Sequence, residues 1–295
     1  MHGTRWGLGG VVALIALAFA SPAIADEGDE PGGGDGGIGD WSLRLSAHLG
    51  PSAFSYEEDL NRLDIESEFL EVAFTFDLKV EASFLGLSPF LGVQTSVASG
   101  IEEADVGLNG QEQNLDVTTL LLDAGLGYRI ELAKWLTVVP AVAYTFRLMD
   151  FERSQFEFNG VDATLVDLDG VPRSSVDEVI SGHGITGALS VELALFDELQ
   201  LNVHFAYTWF DEAKVVNSFG GTTISEGGYI VRGGVGAIFW FNDTFGFGVD
   251  TEVLLQDLEK SDVELQFGSA GAAAVQFPNS QTVRGTFTFG AHVRF

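Results

Sequence analysis

The chain has 295 residues, with 43 Asp and Glu against 14 Lys and Arg, a net charge of −29, 37 Gly, 24 Phe and no Cys. Such an acidic balance excludes a nucleic-acid partner, whose phosphates need basic patches. The lack of Cys excludes disulfides, thiol chemistry and lipid attachment through a cysteine.

The first element is a leader over residues 1–25. Arg5 gives a basic start, Gly7 to Ala20 form a short apolar core, and Ala23-Ile24-Ala25 is a small-residue cleavage pattern, with the cut expected after Ala25. The core is too short for a membrane anchor, and no later apolar run reaches the ~18 residues a spanning helix needs. Residues 26–40, DEGDEPGGGDGGIGD, carry six acids and seven glycines. They cannot bury a core and read as a disordered acidic tail. Its end, Gly36 to Asp40, is one imperfect copy of a calcium-binding nonapeptide pattern that works only in stacked repeats, so it reads as linker.

From Trp41 to Phe295 the apolar period is two, the mark of β-strands. Ten runs follow in order. Leu43, Leu45, Ala47 and Leu49 share a face in the first; Leu70, Val72, Phe74, Phe76, Leu78 and Val80 in the second; Leu91, Val93, Thr95 and Val97 in the third. The fourth groups Leu120, Leu122, Ala124, Leu126, Tyr128 and Ile130, and the fifth Leu136, Val138, Pro140, Val142, Tyr144 and Phe146. The sixth holds Ile185, Leu189, Val191, Leu193 and Leu195; the seventh Leu199, Leu201, Val203, Phe205, Tyr207 and Trp209. Tyr229 to Phe241, Phe245 to Leu255 and Gly285 to Phe295 complete the set.

Two architectures use such strands. In a soluble sandwich the apolar faces point inward; in a membrane barrel they face lipid and the charged faces line the lumen. Four features favour the barrel. Short connections near 83–88, 133–135, 197–198 and 242–244 alternate with long ones. The long ones carry hairpin dipeptides, Asn109-Gly110 and Gly220-Gly221, and the Gly268–Gly271 stretch, so strands of about 18–22 residues should run past an apolar belt only ~25 Å tall. Aromatics fall at two levels: Trp41, Tyr128, Trp135, Phe241, Phe245 and Phe295 low, and Tyr144, Tyr207, Trp209 and Tyr229 high. No Lys or Arg lies on the lipid face; Arg62, Arg153, Arg173, Lys214 and Lys260 are placed in outer loops.

Over residues 41–295 the chain resembles the outer-membrane β-barrels of Gram-negative bacteria, through its leader, its ten dyad-repeat strands and a last strand, GTFTFGAHVRF, ending in Phe295. The resemblance implies an all-β, antiparallel up-and-down transmembrane barrel in the bacterial outer membrane, with both termini periplasmic. Its partners would be outer-membrane lipid, lipopolysaccharide and the barrel assembly machinery, for which Phe295 is the implied signal.

Alternation places Arg44, Lys79, Arg129, Arg147, Arg232, Arg284 and Arg294 inside, opposite Glu71, Asp77, Glu81, Asp123, Glu131, Glu192, Asp250 and Glu252, with His204 near mid-depth. Near-equal charges predict a paired network filling a largely polar lumen, since a barrel of about eight strands is filled by side chains and an open channel takes about sixteen. The runner-up is a narrow channel that the acidic outer loops bias toward cations; IEEADVGLNGQEQNLD carries five acids and no base. Those loops are also candidates for loosely held divalent cations that bridge lipopolysaccharide. Enzymatic readings are weaker. Ten-stranded barrels include the omptin proteases, and resemblance to them would imply an Asp couple and an Asp–His couple on facing rims; Asp167 and Asp169 supply an Asp-x-Asp, but no Asp-x-His exists. His183 with Ser181 is a weak acyl-transfer pair, and DLDG lacks the further ligands of an EF-hand. The expectation is therefore no catalytic residues, cofactor or bound metal. The connection 149–181, with Phe151, Phe156, Phe158 and a hairpin at Asn159-Gly160, is the candidate surface-contact segment.

Overall fold

The computed structural model describes residues 41–60, 65–106, 109–167, 169–196, 198–218, 221–269 and 271–295. The leader and the acidic tail lie outside the described residues.

Ten long strands form the wall. They are β1 (Trp41–Leu60), β2 (Ile65–Phe84), β3 (Leu87–Val106), β4 (Asn109–Tyr128), β5 (Leu136–Phe158), β6 (Ser175–Ala194), β7 (Leu199–Asn217), β8 (Gly228–Trp240), β9 (Phe245–Leu258) and β10 (Asn279–Arg294). Each pairs antiparallel with its neighbours in sequence, and β10 returns to pair with β1 through the register Leu45↔Val293 to Asp59↔Asn279. The ring is closed. Closure leaves no open sheet edge around the ring, as a hydrocarbon surrounding demands. Phe295 completes the seam, its amide donating to the Leu43 carbonyl at 2.9 Å and its carbonyl accepting from the Leu43 amide at 3.1 Å.

The strand lengths follow the prediction for most of the ring: β1 to β4 and β6 have 20 residues and β5 has 23. Strands β8 and β9 are shorter, at 13 and 14 residues. Short hairpin pieces, Gly221–Ser225 against the end of β7 and Glu264–Gly268 against Gly271–Val275, continue the outer structure there.

Turn chemistry fits the tight inner ends. Leu85 and Gly86 take φ of +51° and +82° between β2 and β3, the paired left-handed geometry of a two-residue hairpin. Asn159 and Gly160, at +51° and +75°, form the same turn beyond β5; that hairpin is where the sequence placed it. Asn109-Gly110 is different. Asn109 pairs with Val106 and Gly110 with Asp105, so the dipeptide belongs to the ladder.

The wall sorts its residues as a membrane barrel does. Val72, Phe74, Leu91, Val142, Ile185, Phe205, Val235, Val253, Phe287 and Phe289 point outward and are exposed, as are Tyr128, Trp135 and Phe245 at one level and Tyr144, Tyr207, Trp209 and Tyr229 at the other. A bulge in β5 alters the interior parity. Gln155, at φ +54°, is the extra residue between Ser154↔Asn114 and Glu157↔Glu112, so Phe151, Arg153 and Phe156 all turn inward and are buried.

Candidate functional site

The interior is a stack of four tiers, each built from alternate residues of neighbouring strands.

At the inner end, Glu192 of β6 accepts from two arginines, Arg44 Nη1 at 3.2 Å and Arg129 Nη2 at 2.5 Å. Arg129 Nη1 also reaches Glu81 Oε1 at 3.1 Å, and Glu81 takes Lys79 Nζ at 2.9 Å and the Ser88 hydroxyl at 2.8 Å. Beside this chain the Nε2 atoms of His48 and His292 stand 2.8 Å apart.

The middle tier pairs Arg232 Nη1 with Asp123 Oδ2 at 2.7 Å, Asp123 also accepting from Thr145 at 2.6 Å. Glu252 takes Gln94 Nε2 at 3.0 Å and lies 3.3 Å from His204 Nε2 and 3.6 Å from Arg284 Nη2. Arg284 donates further to Ser96 at 2.8 Å and to Gln94. Hydroxyl ladders, Ser52–Thr75–Ser96 and Thr145–Thr186–Thr208, line the walls between these pairs.

Above it the lumen is apolar. Phe54, Tyr56, Phe69, Leu115, Val117, Met149, Phe151, Ile180, Val215 and Leu258 meet from across the ring, and most are essentially inaccessible. A largely polar lumen was expected; an apolar layer interrupts it between the polar middle and outer tiers.

The outer tier is centred on Arg153. Its Nε donates to Glu102 Oε2 at 2.7 Å, its Nη2 to Glu102 Oε1 at 3.2 Å and Glu58 Oε1 at 3.3 Å, and its Nη1 to Glu178 Oε1 at 3.4 Å. Gln113 and Ser67 satisfy Glu102, Asn217 donates to Glu178 at 3.1 Å, and the Tyr56 hydroxyl donates to Glu58 at 2.6 Å. The outward neighbours at this level are carboxylates, Glu57, Glu103, Glu152 and Asp177, so the tier stands above the apolar belt. Burial pushes the Glu58 carboxyl up to about 7; Arg153 opposes the shift, and Glu178 and Glu102 reinforce it. Against the same burial, Arg153 and its hydrogen bonds hold Glu102 below the usual carboxylate range.

Several placements differ from those read in the sequence. Arg153 is not in an outer loop but 8% exposed inside the barrel, because β5 continues well past Leu148. Glu131 lies exposed in the short segment Ile130–Ala133 at the inner turn and joins no ion pair among the described residues. Glu71 faces inward against Gly100, and Asp77 and Asp250 line the inner cavity, without a carboxylate–cation bond of their own. Arg294 turns to Asp243 in the last inner turn. Phe151 and Phe156 are buried and offer nothing to the exterior.

At the rim, Asp167 spends both oxygens on its own loop. Oδ1 accepts from the amides of Asp169 and Val171 at 2.9 and 2.8 Å, and Oδ2 from Arg173 at 2.7–2.8 Å. Those amides and the guanidinium hold its carboxyl below the ordinary range. Asp169 turns to Ser269 of another loop. The two aspartates are loop struts, not a facing couple. His183 points outward, its Nδ1 2.7 Å from the Tyr144 hydroxyl at the upper aromatic level. Among the described residues no set of three or more His, Asp or Glu side chains converges as a metal site.

No family model matches the sequence, and no curated protein matches it either. Solved structures do. The outer membrane protease OmpT from Escherichia coli superposes with a TM-score of 0.63 at 9% identity, over 86% of this chain and 97% of that one. The transport unit of the autotransporter AIDA-I from Escherichia coli gives 0.41 at 9%, covering 83% and 89%, and Ail of Yersinia pestis 0.31 at 11%, covering 85% and 98%. The likeness at these identities is one of fold: the chain has the architecture of Gram-negative outer-membrane β-barrels.

Proposed function

We propose that this closed ten-stranded barrel resides in the bacterial outer membrane as a sealed, non-catalytic integral protein whose contacts are made by its outer loops. One observation carries the reading: the cluster of Phe54, Tyr56, Phe69, Met149 and Phe151, each 0 or 1% exposed, lies across the bore. An ion forced through that layer would shed its hydration with nothing to replace it. Ion pairs in the polar tiers on either side tie the wall strands to one another.

The rim supports the absence of catalysis. Asp167 and Asp169 are bound to their own loops, and His183 sits on the outside of the wall with a tyrosine. OmpT is a protease, but at 9% identity that likeness extends to architecture alone. For contact with the exterior, the segment beyond β5 offers Val161, Val166 and Val171, exposed apolar side chains near the tip of the protruding loop.

Conductance of the refolded protein in a planar bilayer tests this. A folded, inserted barrel that stays silent in potassium chloride supports the sealed reading. Steady openings with cation selectivity would overturn it in favour of a narrow channel filtered by the acidic loops.

A further inference from the structure

Arg147 of β5 is 3% exposed, and its Nε and Nη1 have no hydrogen-bond partner. Every other inward arginine of the middle and outer tiers is set against a carboxylate: Arg153 against three, Arg232 against Asp123, Arg284 against Glu252. The charged groups that act on Arg147 are Arg284 and Arg232, both cations. Each of these also keeps an unused donor, Nε, buried and unpartnered. Four guanidinium N–H positions on three arginines are therefore unspent in one tier.

The carboxylates of the cluster are unevenly shared. Asp123 and Glu252 neutralise two of the three guanidiniums. Asp77 acts on Arg232 and Arg284, but no carboxylate acts on Arg147. Among the described residues Arg147 is left as a buried guanidinium with no carboxylate bonded to it. An unpaired buried ion costs several kcal/mol even after relaxation, and Arg does not escape by losing its proton.

The surroundings specify what would fit. Leu121 lies directly beside Arg147 across the β4 ladder, and Gly182 on the β6 side, with the Phe210 ring leaning over it. Leu121, Phe210, Ile230 and Leu254 form a buried apolar cluster. The Thr119 and Thr282 hydroxyls, on β4 and β10, are buried without partners. A cavity of about 300 Å³ below runs from Arg44 and Glu192 up to Arg232 and Leu121, a route from the inner mouth to the tier. Unspent N–H donors, apolar walls and a buried guanidinium with no bonded carboxylate suit a single, small, weakly hydrated monovalent ion.

We propose that Arg147, Arg232 and Arg284 together bind one halide-type anion, chloride in its ordinary setting, as a built-in counterion beneath the apolar layer. The ion supplies the negative charge that the chain itself does not place beside Arg147.

The test uses the full-length refolded barrel. Crystals grown with sodium bromide replacing sodium chloride should show an anomalous peak within hydrogen-bonding reach of the Arg147 guanidinium. The thermal midpoint should rise with chloride concentration relative to sodium gluconate at matched ionic strength, as expected for a ligand bound only by the folded state. In Arg147→Met, which fills the same space without charge, that chloride dependence should vanish. Only water on Nε and Nη1 in the bromide crystals overturns the proposal. So does an equal chloride response in Arg147→Met. Should that variant not fold, the bromide diffraction of the unaltered protein decides alone.

Discussion

Arg153 of β5 and Glu102 of β3 make a two-point ion pair inside the outer end of the barrel, Nε to Oε2 at 2.7 Å and Nη2 to Oε1 at 3.2 Å, across an intervening strand. The same guanidinium reaches Glu58 on β1 and Glu178 on β6. One side chain thus ties four wall strands together where the bilayer no longer supports them.

Arg153→Met should be among the most damaging single changes in the chain. It leaves Glu58, Glu102 and Glu178 facing one another around an apolar side chain. Breaking a buried pair by removing one partner costs about 3–5 kcal/mol. Urea unfolding of barrel inserted in lipid vesicles, followed by Trp fluorescence, measures the loss. Glu178→Gln, which removes the weakest of the three contacts at 3.4 Å, should cost much less.

The same tier sets a pH dependence. The Glu58 carboxyl stands at about 7 in the folded chain and near its ordinary value of about 4.3 when unfolded. A raised carboxylate pKa means the folded state holds the proton longer than the unfolded state. Its contribution is therefore most favourable below about 4.3 and declines as pH rises toward 7, with no further change above. Glu102, held low, works in the opposite sense and loses its contribution only in acid. Glu58→Gln should flatten the decline between about pH 4.5 and 7 and leave the acid limb intact. Thermal midpoints of the two proteins from pH 4 to 8 check this; parallel curves would remove Glu58 as the cause.

Much of this tier was legible in the sequence. Arg147, Met149, Phe151 and Arg153 share one parity along β5, as do Glu178 and Glu192 along β6 and Gln94, Ser96, Ala98 and Glu102 along β3. Carrying the alternation past the apolar belt puts Arg153 and its glutamates inside. It fails as a guide only because the outward face turns acidic there, so polar residues on both faces look like loop. The β5 bulge at Gln155 was not legible: one added residue moves Phe156 to the inner face, and only backbone geometry reveals it. Glu131 misled because β4 breaks at Arg129 before its last residues. The apolar layer was hidden for another reason. In a barrel of this size an inward Phe54 or Phe69 is buried as fully as any soluble core residue, while the outward phenylalanines that dominate the pattern are lipid-facing. Period two counts both alike.

Val253 tests the belt itself. It points outward from β9, half exposed, flanked in register by Gly285 and Gly233. Val253→Arg should cost about 2–4 kcal/mol in a bilayer, whereas Gln281→Arg, outward on β10 above the belt, should cost at most about 1 kcal/mol. The comparison is made by urea titration in vesicles. Equal costs at the two positions would mean that the hydrocarbon does not lie where the apolar faces place it.

The apolar layer admits a direct test of what seals the barrel. Met149 and Phe69, both wholly buried, come from β5 and β2, with two strands between them around the ring. Truncating large core side chains to Ala costs about 2–5 kcal/mol each, and the ring closure and the Arg153 tie remain to hold the wall. Phe69→Ala with Met149→Ala, in protein shown by heat-modified gel mobility to be folded, should therefore turn a silent barrel into a conducting one. The current should favour cations, because the outer tier above the layer carries three carboxylates to one arginine. Conductance unchanged in the double variant would mean that the charged middle tier around Arg232, Asp123 and Glu252 closes the bore by itself. Arg232→Ala on that background would then be needed before any ion passes.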